Sequence, residues 1–185
     1  DGVLFENNCV WTDKGIGYGC IYESKHDVKN VIFRNNSIGF AQASWSEHLG
    51  CCTVQMGSVK TSTWEDIHFE NMEVYKTSCA LLSVFNRANN ETEGGKIKDI
   101  YFENITAKYA VQTNLPVYCL SVVIRLKEGA GWQNSTIGAL YLDNIRYAGT
   151  EITADNYEEY TKIALDDGAR FARSSIKVNK LSREE

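Results

Sequence analysis

The chain of 185 residues contains a single proline, Pro116, and none of its six cysteines and three histidines forms a Cys-x-x-Cys pair or a Cys/His cluster of zinc spacing. Scarce proline leaves the turns to glycine and asparagine. The missing Cys/His pattern excludes a zinc ribbon or finger, and no metal is expected. No apolar run approaches the roughly 20 residues of a membrane-spanning helix, so no membrane partner is expected. Basic charge is also short: 19 Lys and Arg against 24 Asp and Glu give a net charge of −5. With no basic stripe to neutralise phosphates, nucleic acid is not the expected partner. The run Gly15-Ile16-Gly17-Tyr18-Gly19 lacks the lysine and following helix of a phosphate cradle, and reads as tight backbone turning between strands.

One short phrase is written five times. It reads Val3-Leu4-Phe5-Glu6-Asn7, Val31-Ile32-Phe33-Arg34-Asn35, Ile67-His68-Phe69-Glu70-Asn71, Ile100-Tyr101-Phe102-Glu103-Asn104 and Leu140-Tyr141-Leu142-Asp143-Asn144. In each copy the first and third residues are apolar and share a face, which is the period of a half-buried strand. One copy cannot bury its apolar stripe alone, whereas stacked copies make a continuous column of Phe on Phe and Ile on Val. The closing asparagine tolerates left-handed backbone at a bend, and its amide can bond the asparagine of the next copy. The five are expected to form a ladder inside the turn, burying Asn35 and Asn104.

The asparagines lie 28, 36, 33 and 40 residues apart, too far and too unevenly for hexapeptide or leucine-rich repeats. Such spacing suits an all-β, single-stranded parallel β-helix of about five rungs over residues 1–150, with loops of variable length. Each rung should hold a second strand opening on cysteine: Cys20-Ile21-Tyr22-Glu23, Cys52-Thr53-Val54-Gln55, Cys79-Ala80-Leu81-Leu82 and Cys119-Leu120-Ser121-Val122. These four cysteines are expected to make a buried column of small apolar thiols. Adjacent Cys51 and Cys52 cannot both face inward in a regular strand, so Cys51 is a candidate for a bridge, with Cys9 as partner, or for an exposed thiol.

Residues 151–185 depart from the pattern. A short capping helix is expected over 156–165, with Tyr157, Tyr160, Ala164 and Leu165 on one face to close the open end of the stack, followed by a charged tail. At this length both parts belong to one domain. No leader-like segment precedes the first phrase at Val3, which suggests the C-terminal portion of a longer β-helix with upstream rungs as its neighbour.

The Ile-x-Phe-Glu-Asn-Ile/Met unit resembles the rungs of right-handed parallel β-helix proteins that act on polysaccharides, the pectin-lyase-like group. Thr53-Val54-Gln55-Met56-Gly57 and Gly149-Thr150-Glu151-Ile152-Thr153-Ala154-Asp155-Asn156 are similar to a strand and a closing segment of the dextranase-like glycoside hydrolases (family 49), with the polygalacturonase-like hydrolases (family 28) second. The resemblance implies a right-handed winding, an extracellular or periplasmic location, a polysaccharide or oligosaccharide partner, and no cofactor. It also implies hydrolysis by a general acid and a general base, whose carboxyls in inverting enzymes stand roughly 6.5–9.5 Å apart. This chain departs from those families, which carry an Asp-Asp pair before one inner strand. Here the place before Cys20 reads Ile16-Gly17-Tyr18-Gly19, and the adjacent pair Asp166-Asp167 follows the expected helix, far from the groove. A hydrolase whose catalytic rungs lie upstream and a non-catalytic carbohydrate-binding or structural module both fit.

By the same likeness, the sugar groove runs along the strands that follow the bends. Its lining would include Tyr22, Glu23 and His26 on the first rung, with Glu47, His48 and Gln55 on the second. Asn86, Arg87 and Arg125 would follow on the third and fourth. Glu23 is the first candidate for acid/base work, because Tyr22, His26 and Asp27 surround it with burial and charge that raise a carboxyl's pKa; a solvated strand-end glutamate is the plainer account. Asp13 beside Trp11 is a candidate base, against the simpler role of a turn aspartate. Glu47 is the third candidate acid, and with His48 and Trp45 makes a sugar-binding loop. Trp45 can stack on a sugar ring, as can Trp11 and Trp132 in their loops.

Overall fold

Apolar and polar residues alternate within each phrase, and the computed structural model of the chain is built almost wholly of strands. It describes residues 2–24, 26–42, 49–58, 61–88, 94–112, 117–126 and 135–179, with the backbone alone at 22–24, 58 and 88. Fifteen strands are formed among these residues. They are β1 (Val3–Glu6), β2 (Cys9–Thr12), β3 (Tyr18–Ser24), β4 (Val28–Arg34), β5 (Ser37–Ala41), β6 (Gly50–Ser58), β7 (Thr63–Thr77) and β8 (Ala80–Ala88), then β9 (Lys96–Ala110), β10 (Leu120–Arg125), β11 (Thr136–Ile137), β12 (Leu140–Tyr147), β13 (Thr150–Ile152), β14 (Thr161–Leu165) and β15 (Ile176–Val178).

Two sheets result. The first runs β1-β4-β7-β9-β12, with β2 and β5 continuing it beside the second half of β7, and with β11, β13 and β15 pairing onto β9 and β12. The second runs β3-β6-β8-β10-β14. All pairings are parallel except that of β12 with β13. The chain passes from the first sheet to the second and returns one strand further along. Like positions of the phrase therefore stand in register, Phe5 on Phe33, Phe69, Phe102 and Leu142. The rings are stacked at centroid separations of 5.0, 4.8 and 5.4 Å. Each such pair contributes about 0.5–1.5 kcal/mol beyond its buried area.

Two bends per pass keep the apolar side facing in. The five phrase-closing asparagines have φ between 50° and 58°, and a second left-handed position precedes each of the first four phrases, at Gly2, Asn30, Asp66 and Asp99. Buried positions along β7 are Trp64, Ile67, Phe69, Met72, Val74 and Thr77. The interval is two from Ile67 to Phe69 and from Met72 to Val74, and three across Asp66 and across Asn71, where a left-handed residue adds one position at a corner; the last step, Val74 to Thr77, is also three without a left-handed residue. The amide ladder forms over four of the five asparagines: Asn71 Nδ2 donates to Asn35 Oδ1 at 3.0 Å, Asn104 to Asn71 at 3.1 Å, and Asn144 to Asn104 at 2.9 Å, while Asn35 Nδ2 donates to Glu6 Oε1 at 3.4 Å. It lies outside the turn, however, with Asn35 exposed and Asn104 half-buried. The buried asparagine is the next residue, Asn36, whose Oδ1 accepts from Asn8 N–H and whose Nδ2 donates to the Phe5 carbonyl.

The thiols are buried but staggered. Cys20 stands in register with Val54, while Cys52 pairs with Tyr18 and Leu82, so no single column forms. Cys51 and Cys52 are both fully buried. The Thr53 hydroxyl bonds both the N–H and the carbonyl of Gly50, tightening the bend there, and Cys51 donates to Thr77 Oγ1 at 3.3 Å beside Cys79. All six cysteines are free, with Cys9 exposed. Burial pushes the Cys20 thiol up to about 11 and the Cys52 and Cys119 thiols higher still. Gly17 and Gly19 serve close approach: a Cβ at Gly17 would strike Ile38 and the Cys51 carbonyl, and one at Gly19 the Thr53 carbonyl.

The expected capping helix is absent. A 3-10 turn at Tyr157–Tyr160 leads into β14, which pairs with β10 from Leu120↔Thr161 to Ile124↔Leu165. Thr161 and Ile163 are β-branched, and the otherwise unpaired edge of β10 takes the alternate N–H and carbonyl groups of this segment as a parallel strand. The described part of the tail joins the first sheet: β15 pairs with β12, and Asn179, left-handed like the others, accepts from Asn144 N–H. Residues 151–179 thus add a further, abbreviated pass.

Two measurements check this packing. Phe69→Ala should cost about 3–5 kcal/mol in chemical denaturation, since the ring is fully buried between two others; a cost under about 1 kcal/mol would contradict the column. At pH about 8, a disulfide thiol reagent should label Cys9 within minutes on the native chain and the remaining cysteines after unfolding.

Candidate functional site

Register sorts the second sheet into two sides. Cys52, Leu82 and Leu120, then Val54, Val84 and Val122, face the core. The alternate positions form three rows across the outer side. These are Thr53, Ser83, Ser121 and Lys162, then Gln55, Phe85, Val123 and Ala164, then Glu23, Gly57, Arg87 and Arg125. Thr53, Ser83, Ser121 and Val123 are themselves fully buried, so the accessible part of this side is the end carrying Gln55, Phe85, Arg87 and Arg125.

Several expected residues meet here. Gln55, Arg87 and Arg125 share the outer side, one per strand, and Glu23 holds the register position in line with Arg87 and Arg125 on the edge strand β3. Tyr22 stands at the alternate register, that of Met56, Asn86 and Ile124. Asn86 belongs to the interior: it is fully buried and donates from Nδ2 to the carbonyls of Gly95 at 2.7 Å and Thr136 at 2.9 Å. His26 is exposed beyond the end of β3, and Asp13 is exposed in the bend between β2 and β3. Trp45, Glu47, His48 and Trp132 lie outside the described residues.

Asp166 was expected far from these candidate residues and is bonded to one of them, Arg125. Its Oδ1 accepts from Arg125 Nη1 at 2.6 Å and its Oδ2 from the Leu126 N–H at 2.8 Å, while its own N–H donates to the Ile124 carbonyl. Partial burial pushes this carboxyl's pKa upward, but the Leu126 N–H and the Arg125 guanidinium outweigh it and hold the pKa below the usual value. The group is an anchored carboxylate that orients Arg125. A sequence signal existed: Ile163-Ala164-Leu165 followed by Asp166-Asp167-Gly168 reads as a buried strand ending in a turn.

A second concavity lies on the first sheet, where β5, β7, β9 and β12 present their outer sides beyond the asparagine bends. It encloses about 680 Å³ and is lined by Ser37, Gly39, Glu73, Tyr75, Lys108 and Arg146, among others. Tyr75 is 55% exposed and lies under Lys108 Nζ, 5.3 Å from the ring centroid. Trp11, 72% exposed, packs against Gly39 and Phe40 nearby. None of this was singled out beforehand except Trp11. Comparisons with family models, curated proteins and solved structures return no match.

Because the folded-state pKa of Asp166 is depressed, its stabilising contribution is present above the ordinary carboxylate pKa of about 3.9 and is lost as pH falls through the lower folded value. Asp166→Asn should therefore lower stability at neutral pH and flatten the acid limb of the stability profile below about pH 4. Thermal unfolding across pH checks it; an unchanged acid limb would show that the Arg125 pair does not couple to folding.

Proposed function

We propose that the chain is a right-handed parallel β-helix that binds a polysaccharide across the outer side of its second sheet, as a module of a carbohydrate-active protein. The observation carrying this reading is the pair of Arg87 and the Asp166-braced Arg125 in register on neighbouring strands, with Gln55 one row away on the next strand of the same accessible face. Parallel strands repeat about every 4.7–4.9 Å, so the two arginines offer donors to a hydroxylated polymer one strand spacing apart, and Gln55 adds a third donor displaced along the strands. Phe85 beside Gln55 supplies a ring for an apolar sugar face.

Binding is better supported than cleavage. The Glu23 and Asp166 positions are separated by four strand intervals, about 19 Å, well beyond the span of an inverting acid pair. Arg125 also holds Asp166 ionised, which suits an acceptor rather than a proton donor. The hydrolytic alternative would use Glu23 as general acid, with its partner on a neighbouring rung. The second concavity, with exposed Trp11 and Tyr75, is the competing location for a sugar.

A glycan array followed by calorimetric titration of the best ligand tests both. Gln55→Ala and Arg87→Ala should each weaken binding about five- to tenfold, the loss expected from one or two hydrogen bonds. Tyr75→Ala should leave binding unchanged. Binding that follows Tyr75 and ignores Arg87 would move the site to the first sheet, and failure of every glycan to bind would reject the reading. Substrate cleavage abolished by Glu23→Gln with binding retained would favour the hydrolase.

A further inference from the structure

On the outer side of the first sheet, before the asparagine bend, one imidazole is surrounded by carboxylates. His68 in β7 stacks on Tyr101 in β9 at 4.3 Å, and Tyr101 stacks on Tyr141 in β12 at 4.7 Å, which fixes the plane of the histidine ring. His68 Nε2 lies 2.9 Å from Asp66 Oδ1. An ionised carboxylate only accepts, so Nε2 donates this bond, which leaves Nδ1 as the nitrogen available to a ligand. Nδ1 is shut off from solvent and has no hydrogen-bond partner; the nearest group is Glu70 Oε1 at 3.4 Å. Glu103, in register with Glu70, completes a set whose ligand atoms all lie within 4.8 Å of one another. Asp143 follows Glu103 in register, while the basic residue of the row, Arg34, pairs with Glu6 at 3.0 Å.

Ligand atoms this close together are compatible either through a proton on Nδ1 or through a metal cation held among them, and their mutual spacing suits the second. We propose that His68 Nδ1, Glu70 and Glu103 bind a divalent transition cation of the zinc class, with Asp66 as the positioning residue behind the imidazole. A carboxylate on the far nitrogen of a ligating histidine sets tautomer and ring orientation in metal sites generally. Two ligands at about 2.0–2.1 Å in tetrahedral arrangement stand about 3.4 Å apart, the separation already present between Nδ1 and Glu70. Imidazole with carboxylates favours zinc, cobalt or manganese over calcium and magnesium, which take oxygen sets. Three protein ligands leave a fourth position for water. The ion would tie β7 to β9 at a place where the ring stack and the left-handed Asp66 already fix the geometry.

The test is titration of the chelator-stripped full chain with ZnCl2, in a Cys9→Ser background that removes the exposed thiol. Cobalt absorbance and the His68 imidazole 15N signal are read alongside. One zinc per chain is expected, with a zinc-dependent shift at His68 Nδ1. His68→Gln should weaken binding at least 100-fold, Glu103→Gln at least tenfold, and Asp66→Asn between about 10- and 100-fold. Glu65→Gln, on the same strand but outside the set, should change nothing. Each variant is first checked for an unchanged melting profile without metal, and Glu70→Gln replaces any that fails. Binding that survives His68→Gln, equal affinity for calcium and magnesium, or no binding with a His68 15N signature of the doubly protonated ring would each overturn the proposal.

Discussion

A strand turns its side chains in and out at alternate residues, so a chain that bends around a shared core has to spend one residue at each corner to keep the same face inward. In this protein that residue is left-handed, and it recurs at two columns of positions, Asn71 and its equivalents and Asp66 and its equivalents. The cost of that backbone is small for asparagine, aspartate and glycine, and prohibitive for the β-branched residues that fill the straight segments. Everything else follows from the corners. They set the three-residue step in the burial pattern of β7, hold Phe33, Phe69 and Phe102 in one stack, and turn the amides outward where they bond one another.

The same constraint explains which parts of the fold were legible in the sequence. The phenylalanine column could be read because five copies share a period and a closing residue. The second column of corners was hidden because Gly2, Asn30, Asp66 and Asp99 differ in chemistry and share only a backbone angle. Cysteine register was misjudged because bends and loops of unequal length precede each second strand, so equal-looking cysteines are offset, by two residues between Cys20 and Cys52 and by three between Cys52 and Cys79. Tyr157, Tyr160, Ala164 and Leu165 satisfy a helical stripe on paper, yet a neighbouring strand with unpaired backbone decides the matter, and no local pattern reports that edge.

The candidate face was half legible. Its arginines and Gln55 could be assigned to one side from alternation along each strand. Asp166 could not, because only the pairing of β14 with β10 brings it to Arg125. The buried row of Thr53, Ser83 and Ser121 beside it shows that this side of the sheet is covered along part of its width, leaving a defined accessible strip. Cys51, Cys52, Cys79 and Cys119 are packing groups: all four are buried, Cys51 and Cys79 bond Thr77, and they fill space that larger side chains would overfill.

The first strand is the open edge of the described stack: Val3, Leu4 and Phe5 are all more than 40% exposed, and the Phe5 ring stacks on Phe33. Phe33, one layer in, is buried, so the same ring at the same place in the phrase is dry or wet according to whether a strand lies over it. The two phenylalanines therefore differ in what they contribute: removing the Phe33 ring opens a cavity, whereas removing the Phe5 ring mainly uncovers its neighbour.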